Sequence, residues 1–293
     1  MIKKIVMTVT AAEAGRSIGS VLRTEYGLSR KEISRLKFTQ GIFVNDEQKR
    51  VSTVLHEADV LTLVFREKEG EVPAYSGYVP VILYEDEDMV IAEKPAGMPC
   101  HRSHGHLDDD LGTALQSYYA DQLLTVRPVG RLDKDVSGIM VYAKNTAAAA
   151  RLNRQRQDGI LQKTYTAIAQ GHFEEGEGTL RFSLHKEAGN FARQTGGAGK
   201  ECVTEYRTVK NGQELSLLEV RILTGRTHQI RAGFASVSHP LAGDKLYGGS
   251  TDRIGRPALH CSKITLCSPF TKKKISVSSD LPEDMRSLFD IEQ

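Results

Sequence analysis

The sequence predicts an α+β protein: a mixed, largely antiparallel sheet with flanking helices, preceded by a small N-terminal α/β unit. Three observations predict it. After residue 80, strand-like runs alternate with helical ones, but hairpins are frequent, which argues against a doubly wound parallel sheet. Asn211–Gly212 stands between two β-rich runs, the strongest short hairpin signal. Residues 67–80, "EKEGEVPAYSGYVP", carry charges, two prolines and two glycines with no period, the composition of a linker between residues 1–66 and 81–293.

In the first unit, "RSIGSVLRTEYG" places Ile18, Val21, Leu22 and Tyr26 on one helical face and ends at Gly27, the expected C-cap. Ser29 opens a second helix, with Glu32 completing a capping box. Its apolar face is expected to be Ile33, Leu36 and Phe38, opposite the basic residues Arg30, Lys31, Arg35 and Lys37. "IFVN" and "VLTLVF" read as strands. This order with a basic second helix suggests a small RNA-binding unit, although on charge alone a solvated helix face is the favoured reading. In the second unit, "VILYEDEDMVIAEKP" reads as two strands around an acidic turn. Helices are expected across "LGTALQSYYADQ" and "NTAAAARLNRQRQ", the latter capped by Asn145 or Thr146. "KTYTAIAQG" alternates as a strand, "RTHQIRAGFASVSHP" is a helix closed by Pro240, and "LHCSKITL" and "KKISVSS" are strands. A last short helix starts near Pro282.

Composition excludes several classes. At 293 residues, 40% hydrophobic and 26% charged, the chain is an ordinary globular one, and its net charge of +2 is not that of a polybasic nucleic-acid binder. The charge is uneven, however: residues 1–66 hold eleven Lys/Arg against seven Asp/Glu. No apolar run approaches the roughly 20 residues of a membrane helix, and the N-terminus does not read as a signal peptide. Cys100, Cys202, Cys261 and Cys267 form no Cys-x-x-Cys pair, so a reducing cytoplasm is expected. Gly-x-Gly-x-x-Gly, Walker and Gly-x-Ser-x-Gly signatures are missing, so no nucleotide cofactor is expected. His101, His104 and His106 are close in sequence but have no period or acidic partner to make a metal site; a polar loop touching ligand is expected.

The informative stretch is "GRLDKDVSG" at 130–138, followed by the apolar run "IMVYAK". Asp133 thus stands where chain leaves the interior, and a carboxylate there is costly unless a cation pairs with it. Arg231, in "TGRTHQIRAG", is a candidate partner that would keep it ionised as nucleophile or base. On charges alone a structural ion pair is the commoner explanation.

Four segments in order sharpen this. "GRLDKDVSGIMVYAKN" resembles the catalytic motif of the RluA family of pseudouridine synthases, usually His-Arg-Leu-Asp, a Thr/Ser-Ser/Thr-Gly turn and an apolar strand ending in Ala-Lys. "EKPAGMPCH" at 93–101, "KTYTAIAQG" at 163–171 and "GRTHQIRAGFASVSHPLAGDKLYG" at 225–248 are similar to the family's other motifs. Residues 12–66 resemble the S-four-type RNA-binding module. Gly130 and Val136 depart from the family's usual His and Thr. The resemblance implies the pseudouridine synthase fold and isomerisation of uridine within ribosomal or transfer RNA, without cofactor or metal, by a monomer. It implies that Asp133 starts the reaction at sugar or base. Tyr165 would stack on the flipped uracil or take a proton, and Arg231 would pair with Asp133. Arg131 would fill the vacated space or touch phosphate, with Lys134 and His101 also meeting RNA. His228 is expected to cap or tie its helix, Asp244 and Tyr247 to shape a turn, and Lys94 to build the cleft floor. The alternatives are a nucleoside or glycoside hydrolase, recognised by release of free base, and a non-catalytic RNA-binding protein.

Overall fold

The structure, a computed structural model, describes residues 2–66, 77–102, 109–122, 124–186 and 192–289. Its first sheet is built from β1 (Ile2–Thr8), β2 (Ile42–Val44), β3 (Glu47–Gln48) and β4 (Val60–Arg66) in the antiparallel order β1-β4-β2-β3. The helices α1 (Ile18–Thr24) and α2 (Arg30–Phe38) bury Ile18, Leu22, Ile33 and Leu36 with Leu61 and Leu63 of β4. The capping box is present: Ser29 Oγ accepts from the Glu32 amide, and the Ser29 amide donates to the Glu32 carboxylate.

Three features of this unit differ from the sequence reading. β1 was not expected, because its pattern is inverted: Ile2 and Val6 face out, while Lys3 points inward to meet Asp88 at 2.8 Å. Phe38 is 89% exposed, because five residues beyond Ile33 on a helix is about 140° away from its face. And α1 ends at Thr24 with Glu25 as its C-cap, leaving Tyr26 and Gly27 beyond the helix. The linker expectation falls mostly on residues 67–76, outside the described residues.

The second sheet takes the rest of the chain. Its strands are β5 (Val81–Glu85), β6 (Met89–Lys94), β7 (Arg127–Pro128), β8 (Ser137–Ala143), β9 (Gln162–Gln170), β10 (Glu177–Lys186), β11 (Arg193–Thr195), β12 (Lys200–Asn211), β13 (Leu215–Ile222), β14 (Leu259–Cys267) and β15 (Lys274–Ser278). They run in the order β11-β10-β12-β13-β9-β14-β8-β6-β5, with β15 on β14 and β7 on β8. Among the described residues only β8 and β14 pair in parallel, through His260↔Ser137 and Cys261↔Gly138. The helices are α3 (Leu111–Tyr118), α4 (Thr146–Gln157), α5 (Gln229–Ser236) and α6 (Glu283–Arg286). This is the expected mixed, largely antiparallel α+β arrangement.

The parallel pair is the seam that positions the site. Every residue of β8 is buried, so its apolar run drives it to the sheet centre. At the seam the strands approach so closely that a Cβ on Gly138 would lie 2.4 Å from the Cys261 carbonyl oxygen; only glycine fits. The turn carrying Asp133 immediately precedes this seam. Next comes α4, whose first turn is capped by Asn145 accepting from the Ala148 amide. Arg151 of α4 lies between the rings of Tyr26 and Phe270, 4.1 and 4.4 Å from their centroids, and donates to the Pro269 carbonyl. That stack and the Lys3–Asp88 pair join the two sheets' units.

Candidate active site

A cavity of about 650 Å³ opens beside the seam, within the range of small-molecule sites. Leu132, Val136, Tyr165, Ile222, Ile230 and Leu259 supply its apolar wall. Six cations line it (Arg131, Arg156, Lys163, Arg221, Arg226 and Arg231) against two carboxylates, Asp133 and Glu205. A site of that sign attracts a polyanion.

Asp133 is 21% exposed at its side chain and faces the cavity. Its turn is closed by the Val136 amide donating to the Asp133 carbonyl. Arg231, on α5, donates from Nη1 to Asp133 Oδ2 at 3.3 Å, bringing together the two residues the sequence paired. The same guanidinium is held more tightly on its other side: Nε and Nη2 donate to Asp244 at 2.6 and 2.7 Å, a bidentate clamp. Asp244 is completely buried, so it does not merely shape a turn as expected. Burial alone would lower the pKa of Arg231, but the Asp244 and Asp133 carboxylates outweigh it and raise the pKa. The arrangement anchors the cation with one acid and leaves the other acid reachable.

His228 is likewise not a side-chain cap. It has a left-handed backbone at the start of α5 and no capping hydrogen bond. Its Nδ1 meets the Tyr247 hydroxyl at 3.0 Å and its Nε2 lies 3.8 Å from Asp133 Oδ2. Burial lowers its pKa, with Arg231 adding to the fall and Asp133 opposing it, so the ring is neutral near neutral pH. Tyr247 also accepts from the Arg193 amide at 2.7 Å and carries the Arg231 guanidinium over its ring at 5.3 Å.

Tyr165, on β9, is buried in the cavity wall. Burial pushes its phenol well above the usual range, with Cys261 and Asp133 adding to the rise. It is therefore a neutral, flat surface. Arg131 lines the cavity and donates to Thr227; His101 lines it as well. The side chain of Lys134 is exposed and outside the cavity walls, because the turn directs it outward; its carbonyl is what the site uses. Arg30, Lys31, Arg35 and Lys37 are exposed on α2, far from these walls in the sequence and absent from them. His104 and His106 lie outside the described residues. Among the described residues no group of three or more His, Cys, Asp or Glu is placed to hold a metal, and no helix is long and apolar enough to cross a membrane.

Lys94 was expected only as cleft floor, and it does more. Fully buried at the end of β6, it donates to the carbonyls of Pro95, Met98 and Lys134 at 2.7–2.8 Å, which uses all three protons of an ammonium. It thereby fastens the Asp133 turn to the 95–98 loop. Burial lowers its pKa to about 8, opposed by Cys100, Asp135 and Asp133. Cys100 adds a second fastening by exchanging hydrogen bonds with the backbone of Leu132.

A family model described as RNA pseudouridylate synthase matches residues 88–236. The uncharacterized RNA pseudouridine synthase YhcT of Bacillus subtilis (strain 168) is 33% identical over 287 residues, covering 96% of this chain and 94% of that one. The chain belongs to the RNA pseudouridylate synthase family, RluA type. It is an RNA-modifying isomerase. The ribosomal large subunit pseudouridine synthase D of Escherichia coli (strain K12) is 30% identical to this synthase over 317 residues, 99% of this chain and 95% of that one. The human RNA pseudouridylate synthase domain containing 1 shares the fold, with a TM-score of 0.60 at 24% identity over 76% of this chain and 90% of that chain.

Proposed function

We propose that this synthase isomerises a uridine of large-subunit ribosomal RNA, with Asp133 as the acid that starts the reaction. The observation that carries the reading is the shared guanidinium. Arg231 is anchored by buried Asp244 and offers Asp133 one longer bond, so that carboxylate is held in place yet left accessible at the cavity. The choice of RNA rests on relatives named for the ribosomal large subunit.

In the reaction the bond from ribose C1′ to uracil N1 breaks, the base turns, and C1′ bonds to C5. The proton lost from C5 is balanced by one gained at N1, so the RNA keeps its mass. The uridine first leaves its stack, at a cost of a few kcal/mol. Tyr165 supports it as a stacking surface, and its raised pKa disfavours a phenolate base in the free enzyme. Asp133 attacks at sugar or base, and Arg231 holds the carboxylate in place. Arg131 and His101 meet RNA at the rim. Residues 1–66, which we read as an S-four-type module, hold RNA through Arg30, Lys31, Arg35 and Lys37, while residues 81–293 form the catalytic domain. Lys134 contributes its outward charge to the RNA face. In this reading the enzyme acts as a monomer, and three buried free thiols with a fourth part-exposed fit a reducing cytoplasm.

The test is pseudouridine mapping in total RNA from cells with and without the gene, together with tritium release from uracil-labelled RNA by wild type and Asp133→Asn. A missing ribosomal pseudouridine, and no release by Asp133→Asn, is the expected outcome. A missing transfer-RNA site would replace the substrate. Free uracil as product would replace the reaction, and full activity in Asp133→Asn would end the assignment of that acid.

A further inference from the structure

The three arginines of α4 have different fates. Arg151 is enclosed between Tyr26 and Phe270. Arg154 pairs with Asp158 at 2.7 Å. Arg156, in the last turn, is exposed at the cavity and makes no ion pair or hydrogen bond among the described residues. A glycine stands beside it. Gly130 opens the Asp133 turn with φ of +76°, and a Cβ placed there would already touch Arg156 Cδ at 3.4 Å. The wall next to it is also bare. Nothing lies within 4 Å of where a Cβ would stand on Gly159 or Gly225, both of which line the same cavity. An unengaged cation thus stands on the rim of the pocket that holds Asp133, in a wall with open space in front of two of its glycines.

We propose that Arg156 is a phosphate-binding residue of this enzyme, gripping the RNA backbone beside the uridine that enters the cavity. The proposal rests on the reading of the cavity as the uridine site. A guanidinium at a rim suits phosphate, because its fork of donors matches two phosphate oxygens. The competing role is local: a cation in the last turn of a helix favours its dipole. Arg154 has that role too, in the same last turns, and is therefore the internal control.

The experiment uses the full-length enzyme. Binding of a fluorescein-labelled stem-loop RNA with uridine in its loop is titrated at several salt concentrations for wild type, Arg156→Ala, Arg156→Lys and Arg154→Ala. Tritium release from uracil-labelled total RNA of a gene-deleted strain gives KM and kcat. Arg156→Ala is expected to raise KM about tenfold with kcat unchanged, and to reduce the slope of log affinity against log salt by about 0.7, one phosphate contact on single-stranded RNA. Arg156→Lys is expected to keep the slope, and Arg154→Ala to match wild type in slope and KM. A wild-type slope and KM in Arg156→Ala, or a shift no larger than that of Arg154→Ala, overturns the proposal. A loss confined to kcat also overturns it. If wild type releases no tritium, the functional reading fails, while the slopes still decide whether Arg156 holds phosphate.

Discussion

The turn that carries Asp133 is held from two sides by two buried cations, and the sides differ in what satisfies the cation. On one side Arg231 faces full charges: Asp244 in a bidentate clamp and Asp133 at 3.3 Å. On the other, Lys94 faces three carbonyl dipoles. Burial lowers the pKa of both in the first instance. Carboxylates reverse that for Arg231, whereas the more distant acids near Lys94 do not, and its pKa settles at about 8. The lesson is that a carbonyl cradle is a pH-sensitive fastening and a carboxylate clamp is not. The turn that carries Asp133 is attached to one of each.

The largest expected effect breaks the clamp. Asp244→Ala leaves Arg231 buried with only Asp133 beside it. We expect a loss of about 3–5 kcal/mol, the usual cost of removing one partner of a buried pair, seen as a lower urea midpoint, and a collapse of kcat as Arg231 takes Asp133 over. A loss under about 1 kcal/mol would mean that the clamp does not hold the turn.

A third fastening sharpens the contrast on the acid side. His260, fully buried, meets Ser137 Oγ at 2.9 Å and Ser279 Oγ at 3.2 Å, and Ser279 donates to Glu93 at 2.9 Å. Burial lowers its pKa to about 4. Between pH 6.5 and 4 the unfolded chain binds the proton and the folded chain does not, so stability is lost as pH falls through that window. The loss is expected to reach roughly 3 kcal/mol near pH 4. Urea titrations of wild type and His260→Gln as a function of pH check it, since the variant should lack this part of the acid limb.

On the alkaline side the effect is smaller. As pH passes about 8, Lys94 loses a proton and with it one of three donors, and kcat is expected to fall reversibly. The stability sign is opposite: between pH 8 and 10.5 the unfolded chain keeps the proton, so this lysine's contribution to stability rises with pH. Lys94→Met should remove the alkaline fall in kcat and cost about 1–3 kcal/mol through unsatisfied carbonyls. An unchanged alkaline profile in that variant would break the comparison. Smallest is Lys3→Ala, at the joint between the two sheets. Its pair with Asp88 is partly buried, and a loss of about 1 kcal/mol with unchanged kcat is expected from thermal melting and tritium release.

Much of the site was legible because its chemistry is local. "GRLDKDVSGIMVYAK" places an acid before a buried strand, and burial of the whole of β8 confirms why the acid stands at an edge. The Arg231 partner was legible from its cation and its motif. Asp244 was not, because a carboxylate thirteen residues along in a turn looks the same whether it faces solvent or a guanidinium. Lys94 was under-read for the same reason: a lysine before proline reveals nothing of three carbonyls, one of them forty residues away. β1 was missed because its inward Lys3 finds a partner in the other unit, and Phe38 was misplaced because a spacing of five fits neither period.

By itself, the sequence determined the α+β class, most helices and their caps, the pairing of Asp133 with Arg231 and the order of motifs. These follow from periodicity, turn chemistry and residue type, which act within a few residues. Only the tertiary structure decided which groups share a proton or a charge. The parallel pairing of β8 with β14 sets the seam, Asp244 and Lys94 hold the turn from opposite sides, and Arg156 is left unengaged at the rim. Such pairings depend on distance through space between residues far apart in the chain, and electrostatic strength depends on that distance and on burial.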